Sequence, residues 1–152
     1  MDIEQIREIV VSQEGLSKTL DMEFYSTPER DTVMARMKVG PLNRQPFGFL
    51  SGGASLALAE NLAGVGSMAL CPGKMAAGIN VSGSHVKVVA EGETVTATAQ
   101  LRHEGKTLHV WQVDIRNEAG ELISTIQVTN YIVTPKRQRA SEEREAKKGT
   151  GK

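Results

Sequence analysis

The stretch NRQPFGFLSGGASLALAE, Asn43 to Glu60, decides how the rest of the chain is read. Asn43 to Gly53 holds a proline and three glycines and shows little periodicity, which is loop chemistry. Ala54 to Leu70 reads as a helix, with Leu58, Leu62, Val65 and Ala69 on one stripe. The opposite face carries Leu56, Ala57, Ala63 and Gly64, with Glu60 in their midst. A helix apolar on all sides is a buried helix. Its small residues, among them Ala54, Ala59 and Gly66, let neighbouring backbone come close.

A carboxylate in such a helix is costly unless it is paired, hydrogen-bonded or used. Glu60 is therefore the first functional candidate. A structural carboxylate, bonded to a nearby backbone or hydroxyl group, is the alternative. Gly52 and Gly53, just before the helix, weigh towards function. Backbone N–H groups at a helix start are unpaired and carry partial positive charge. Without side chains they can approach a ligand oxygen closely. A carboxylate and an N–H trap for developing negative charge are equipment for acyl transfer.

The same residues resemble the signature of hotdog-fold acyl-CoA thioesterases, in the group of 1,4-dihydroxy-2-naphthoyl-CoA, 4-hydroxybenzoyl-CoA and phenylacetate-pathway thioesterases. The shared pattern is a Gln before Pro-Phe-Gly, a Gly-Gly pair, and an acid eight residues after the first Gly. The chain has Gln45, Pro46-Phe47-Gly48, Gly52-Gly53 and Glu60, and SHVK (Ser84 to Lys87) and HVWQVDI (His109 to Ile115) extend the match. The resemblance spans roughly residues 33 to 133. It implies that Glu60 is nucleophile or general base, that Gln45 orients the water or the reacting carbonyl, and that the Gly52 N–H polarises the thioester carbonyl. It places His85, with its SHVK neighbours Val86 and Lys87, near the pantetheine arm of coenzyme A, and offers Lys87 and Lys106 as point charges for its phosphates. It places His103, Gly105, Lys106 and Thr107 (in HEGKT) at the nucleotide end. Ordinary solvation at strand ends explains Lys87 and Lys106 equally well. Coenzyme A is then part of the substrate, and no separate cofactor is implied.

Two positions depart from the pattern. Ser51 stands where the group commonly has a histidine before Gly-Gly, and Gly64 where it commonly has Ser or Thr one turn after the acid. Ser67, one turn further on nearly the same face, is the candidate replacement. Phe47 and Phe49 are candidate walls of an acyl pocket, and their rings suit a flat or aromatic acyl group. They serve equally as anchors of the loop.

The chain of 152 residues makes one domain, read as 1–135, with a tail at 136–152. Net charge is zero, so bulk electrostatics offer no case for nucleic acid or an anionic membrane. A single cysteine, Cys71, rules out an internal disulfide and fits a reducing cytoplasm. Next to Pro72 it reads as a small apolar residue. No apolar run approaches a membrane span, and MDIEQIREIVV is acidic and amphipathic, unlike a signal peptide. The tail KRQRASEEREAKKGTGK has seven basic and three acidic side chains and nothing apolar larger than alanine. Such a segment reads as solvated and mobile.

Helical spacing of Ile3, Ile6, Ile9 and Val10 predicts a docking helix over Asp2 to Gln13. Strands are expected at Leu20–Tyr25, Thr32–Val39, Ala76–Val89, Thr94–Arg102, Thr107–Arg116 and Leu122–Val133. Glycines and serines in the third suggest a bulge or a close ligand approach. Turns at Glu91-Gly92, Glu104-Gly105 and Ala119-Gly120 predict that the strands they join are antiparallel neighbours. Six strands and one apolar helix give an α+β fold, a curved sheet wrapped around a central helix, as the resemblance also implies. His85, His103 and His109 lack metal-ligand spacing, so no metal site is expected; His109 reads as a packing or surface residue.

Acyl-CoA hydrolysis is the leading function. A hotdog dehydratase or hydratase would need His85 to replace the histidine missing at Ser51. A non-catalytic acyl-CoA binding or sensing protein would explain Ser51 and Gly64. Geometry also predicts a partner. Eight residues of helix put Gly52 and Glu60 about 12 Å apart, and a backward-leaning side chain recovers about 4 Å. One thioester cannot easily meet both groups in a single chain. A two-fold homodimer that sets one chain's loop against the other chain's helix closes the gap, and the resemblance implies the same arrangement, with Gln45 and Gly52 from one subunit and Glu60 from the other. A dimer of dimers, a homotetramer, is the further arrangement considered.

Overall fold

The computed structural model describes residues 1–136; apart from Lys136, the tail expected at 136–152 lies outside them. The elements are α1 (Glu4–Ser12), α2 (Leu16–Thr19), β1 (Met22–Tyr25), β2 (Thr32–Lys38), α3 (Gly52–Leu70), β3 (Met75–His85), β4 (Thr94–Glu104), β5 (Leu108–Arg116) and β6 (Leu122–Val133). The six strands form one sheet in the order β1-β2-β4-β5-β6-β3. Every neighbouring pair is antiparallel. The sheet curves around α3, which packs against β2, β3, β4, β5 and β6. This is the α+β hotdog arrangement expected from the sequence.

Alternation sets the inner face of the sheet. Val95, Ala97 and Ala99 of β4 and Trp111, Val113 and Ile115 of β5 are fully buried, because period-two spacing turns them all towards the helix. They meet Leu58, Leu62 and Val65 of α3, also buried. The small β4 residues leave room for the helix, and Trp111 fills the space beside it.

One expectation about topology is corrected. The turn at Glu91-Gly92 does not join paired neighbours: β3 pairs with β6, and β4 pairs with β2. Strand β3 ends at His85, short of the expected Val89, because the chain then leaves the sheet. It runs instead along the loop before α3. There Leu50 N–H donates to the Val89 carbonyl at 2.8 Å, and Phe49 bridges Ala90. The chain therefore crosses the mouth of α3 before returning to β4. The other two turns do join paired strands, β4 to β5 and β5 to β6.

The predicted N-terminal helix is shorter, Glu4–Ser12, and a second short helix, α2, follows it. Glycine and serine in β3 do mark a bulge, between Gly78 and Asn80. β3 is an edge strand with most residues exposed, Ile79 at 59% and Met75 at 55% among them.

The helix is not buried on every side, as its composition suggested. Ala57, Glu60, Asn61, Gly64 and Met68 form a half-buried stripe. The sheet encloses the other faces. Along this stripe the edge strand β3 is the last cover, and apolar helix surface remains open beside it.

Candidate active site

A cleft of about 360 Å³ opens at the start of α3. Gln45 and Leu50 of the loop, Gly52 and Ser55 of the helix, and His85 and Ser124 of the sheet line it. Asn43 holds the loop in place. Its side chain accepts from Gly40 N–H and donates to the Lys38 carbonyl, and its own carbonyl accepts from Ser51 N–H. Gln45 N–H donates to the Phe49 carbonyl at 2.7 Å, and the Gln45 side-chain oxygen accepts from Phe47 N–H. This tight turn carries Gln45 at the rim of the cleft.

Ser51 precedes the helix in extended conformation, and its hydroxyl does not cap it. The first intrahelical bond runs from Ser55 N–H to the Ser51 carbonyl at 3.1 Å. The N–H groups of the first turn thus have no intrahelical acceptor, and they carry the positive end of the helix dipole. His85 closes one side. A Cβ placed on Gly52 would lie 2.8 Å from both Cδ2 and Nε2 of its ring. Only a residue without a side chain allows the imidazole to sit there. The Nδ1 of His85 is 2.8 Å from the hydroxyl of Ser124, its direct partner across β3 and β6.

Glu60 does not line this cleft. Two helical turns further along, its carboxylate packs against β3. A Cβ on Gly78 would lie 2.2 Å from its Oε1. Gly64 follows one turn later on the same half-buried stripe. Gln45 and Gly52 are therefore brought together within one chain, and Glu60 is held apart from them.

Ser67 goes elsewhere. By helical angle it shares a face with Glu60, yet it is fully buried. The difference lies in what covers the helix: Gly78 of the edge strand at Glu60, the paired strands β5 and β6 at Ser67. Trp111 Nε1–H and Asn130 Nδ2–H donate to the Ser67 oxygen at 2.9 and 3.0 Å. His109 Nδ1 lies 3.1 Å from the same oxygen. With both lone pairs engaged, the hydroxyl proton goes to Nδ1, so His109 carries its proton on Nε2. That nitrogen is 3.9 Å from the sulfur of Cys71. Burial pushes the His109 pKa down and the Cys71 thiol pKa up, so both are held neutral. Ser67 belongs to this core network and not to the cleft, and His109 is a core residue without exposure.

The remaining candidates spread out. Val86 and Lys87 line the cleft, with Lys87 in an ion pair with Glu121. Phe47 stands out at the loop tip with 85% of its surface exposed, and Phe49 is half-buried beneath it. His103 lies near the end of β4, and Gly105, Lys106 and Thr107 form the turn to β5, at the far end of β4 from the cleft. Ten residues of strand separate Thr94 from Glu104, a span of about 33 Å. Within one chain these residues do not reach the cleft. Gly53 is exposed on the first turn of α3. Among the described residues, no group of three or more His, Cys, Asp or Glu side chains is placed to hold a metal ion. Nor is any described helix long and apolar enough to cross a membrane.

Two cleft residues, Ser55 and Ser124, escape sequence reasoning. Ser124 sits in an ordinary alternating strand. Its meaning depends on pairing with β3, which precedes it by two intervening strands.

Residues 47–124 match the Thioesterase superfamily. A 1,4-dihydroxy-2-naphthoyl-CoA hydrolase from Listeria monocytogenes is 33% identical, covering 76% of this chain and 93% of its own. One from Escherichia coli is 34% identical, covering 75% and 83%. Among solved structures, a thioesterase from Haemophilus influenzae superposes with a TM-score of 0.78 at 31% identity, covering 88% of this chain and 92% of the other.

Proposed function

The chain belongs to the thioesterase superfamily, and from that premise we propose that it hydrolyses an acyl-CoA thioester at a site shared between two copies of itself. The observation that carries this reading is the division of the machinery. Gln45 and the first N–H groups of α3 face one cleft, and the Glu60 carboxylate lies outside it. A second copy related by two-fold symmetry would bring its Glu60 to that cleft. The open stripe of α3 and the exposed edge strand β3 are the surfaces available for such a contact.

In this account the thioester carbonyl oxygen accepts from Gly52 N–H. Negative charge that develops there is stabilised by a group already in place. Glu60 then acts in one of two ways. It removes a proton from a water that attacks the carbonyl carbon, or it attacks directly to give a mixed anhydride that water hydrolyses. Either route expels coenzyme A as a thiolate, which takes up a proton, and leaves the free acid. Gln45 orients the water or the carbonyl.

The acyl group is flat or aromatic in this proposal. Phe47 is free to close over it, and two relatives are named for a naphthoyl substrate. Val86 and Lys87 take the pantetheine arm. His103, Gly105, Lys106 and Thr107 take the nucleotide end, supplied from another subunit since they lie far from the cleft of their own. A dimer of dimers extends the same proposal, as does a reducing, cytoplasmic setting for Cys71. The test is thiol release from a panel of aryl- and alkanoyl-CoA thioesters. Wild type should favour aryl thioesters, and Glu60→Ala should abolish the activity. Tight acyl-CoA binding with no turnover would favour a sensing protein instead.

A further inference from the structure

The side chains of His85 and Ser124 are the least explained feature of the cleft. They are direct cross-strand partners, with Nδ1 2.8 Å from Oγ. Ser124 is fully buried, and among the described residues His85 is the one hydrogen-bond partner of its hydroxyl. That decides the direction of the bond. If Nδ1 donated, the buried hydroxyl proton would have no acceptor, at a cost of about 1–3 kcal/mol. If Ser124 donates to Nδ1, both groups are satisfied and the ring proton sits on Nε2. Nε2 lies on the ring edge pressed against Gly52, at the mouth of α3.

We propose that His85 is a second hydrogen-bond donor to the thioester carbonyl oxygen, through Nε2–H beside the Gly52 N–H, and that Ser124 is the positioning residue that fixes this tautomer. The inference rests on the thioesterase reading above. The Ser51 hydroxyl caps nothing, and the imidazole that stands beside the next residue, Gly52, comes from β3. The ring is fixed on two sides, by Ser124 at Nδ1 and by the Gly52 backbone along the Cδ2–Nε2 edge. A donor fixed in this way needs no reorganisation as charge develops, which is what makes it effective.

The test has two arms. The first needs no substrate. Nitrogen-15 NMR of the free protein in mildly alkaline buffer reports which ring nitrogen carries the proton. Wild type should show His85 with Nε2 protonated and Nδ1 accepting, and Ser124→Ala should show a mixture. The second arm is kinetic. His85→Ala should lower kcat about 100-fold and Ser124→Ala about tenfold, each with KM changed less than about threefold, since the bond strengthens only as the oxyanion forms. Two results would overturn the proposal: the same pure tautomer in Ser124→Ala, or a raised KM with unchanged kcat. Loss of activity in Glu60→Ala but not in His85→Ala would overturn it and leave the thioesterase reading standing. A wild type inactive on every thioester would overturn both.

Discussion

The carboxylate of Glu60 occupies the space that a side chain on Gly78 would need: a Cβ there would lie 2.2 Å from Oε1 and 3.0 Å from Cδ. The obstructing atoms are the end of a flexible, half-exposed side chain, so the fold can yield cheaply. The carboxylate cannot yield without leaving its position. Gly78→Ala should therefore alter unfolding free energy by less than about 1 kcal/mol. It should lower kcat at least about tenfold, because misplacement by an ångström is costly in catalysis. Thermal melts and thioester hydrolysis on one preparation check both parts. Loss of stability with full activity would contradict this account of Gly78.

Ser67 makes the opposite prediction. Its oxygen gathers Trp111, Asn130 and His109 in the core. Ser67→Ala strips all three of a shared partner. Denaturant titration should show a loss of about 3 kcal/mol, the scale of unpaired buried polar groups. At temperatures where the variant remains folded, kcat and KM should match wild type. A selective fall in kcat would return Ser67 to the catalytic machinery.

His109 gives a pH dependence. Burial, the larger influence, holds its pKa below 6.5, against a smaller upward pull from Glu104. The unfolded chain thus binds a proton more readily than the folded one. Stability from this group is complete above about 6.5 and is lost as pH falls through the depressed folded value. Protonation also puts a hydrogen on Nδ1, where the Ser67 hydroxyl donates. The melting temperature should drop as pH falls below about 6.5 in wild type, and less steeply in His109→Gln. Equal slopes would remove His109 as the source.

Much of this was legible in the sequence because it depends on local pattern. The apolar α3, the alternation of β4 and β5, and the spacing of Gln45, Gly52 and Glu60 are all read along the chain. Where pairing is not sequential, the sequence misled. The Glu91-Gly92 turn looks like a hairpin, yet β5 and β6 lie between the strands that flank it. Ser124 acquires a role only because β6 lies beside β3. Ser67 has the helical angle of a site residue, and the curvature of the sheet buries it. The half-open stripe of α3 was hidden for a related reason. Glu60 and Asn61 mark it, but Ala57, Gly64 and Met68 beside them read like the core stripe, and composition cannot tell a helix surface that stays open from one that the sheet covers.

The shared site is the central claim, and mixed dimers test it most directly. Gln45→Ala and Glu60→Ala homodimers should each be nearly inactive on an aryl-CoA thioester. After co-refolding in equal amounts, about half the dimers should be mixed, each with one intact and one doubly damaged site, restoring roughly a quarter of wild-type activity. Absence of any recovery, with mixed dimers shown to have formed, would place Gln45 and Glu60 in the same chain's site and contradict the account.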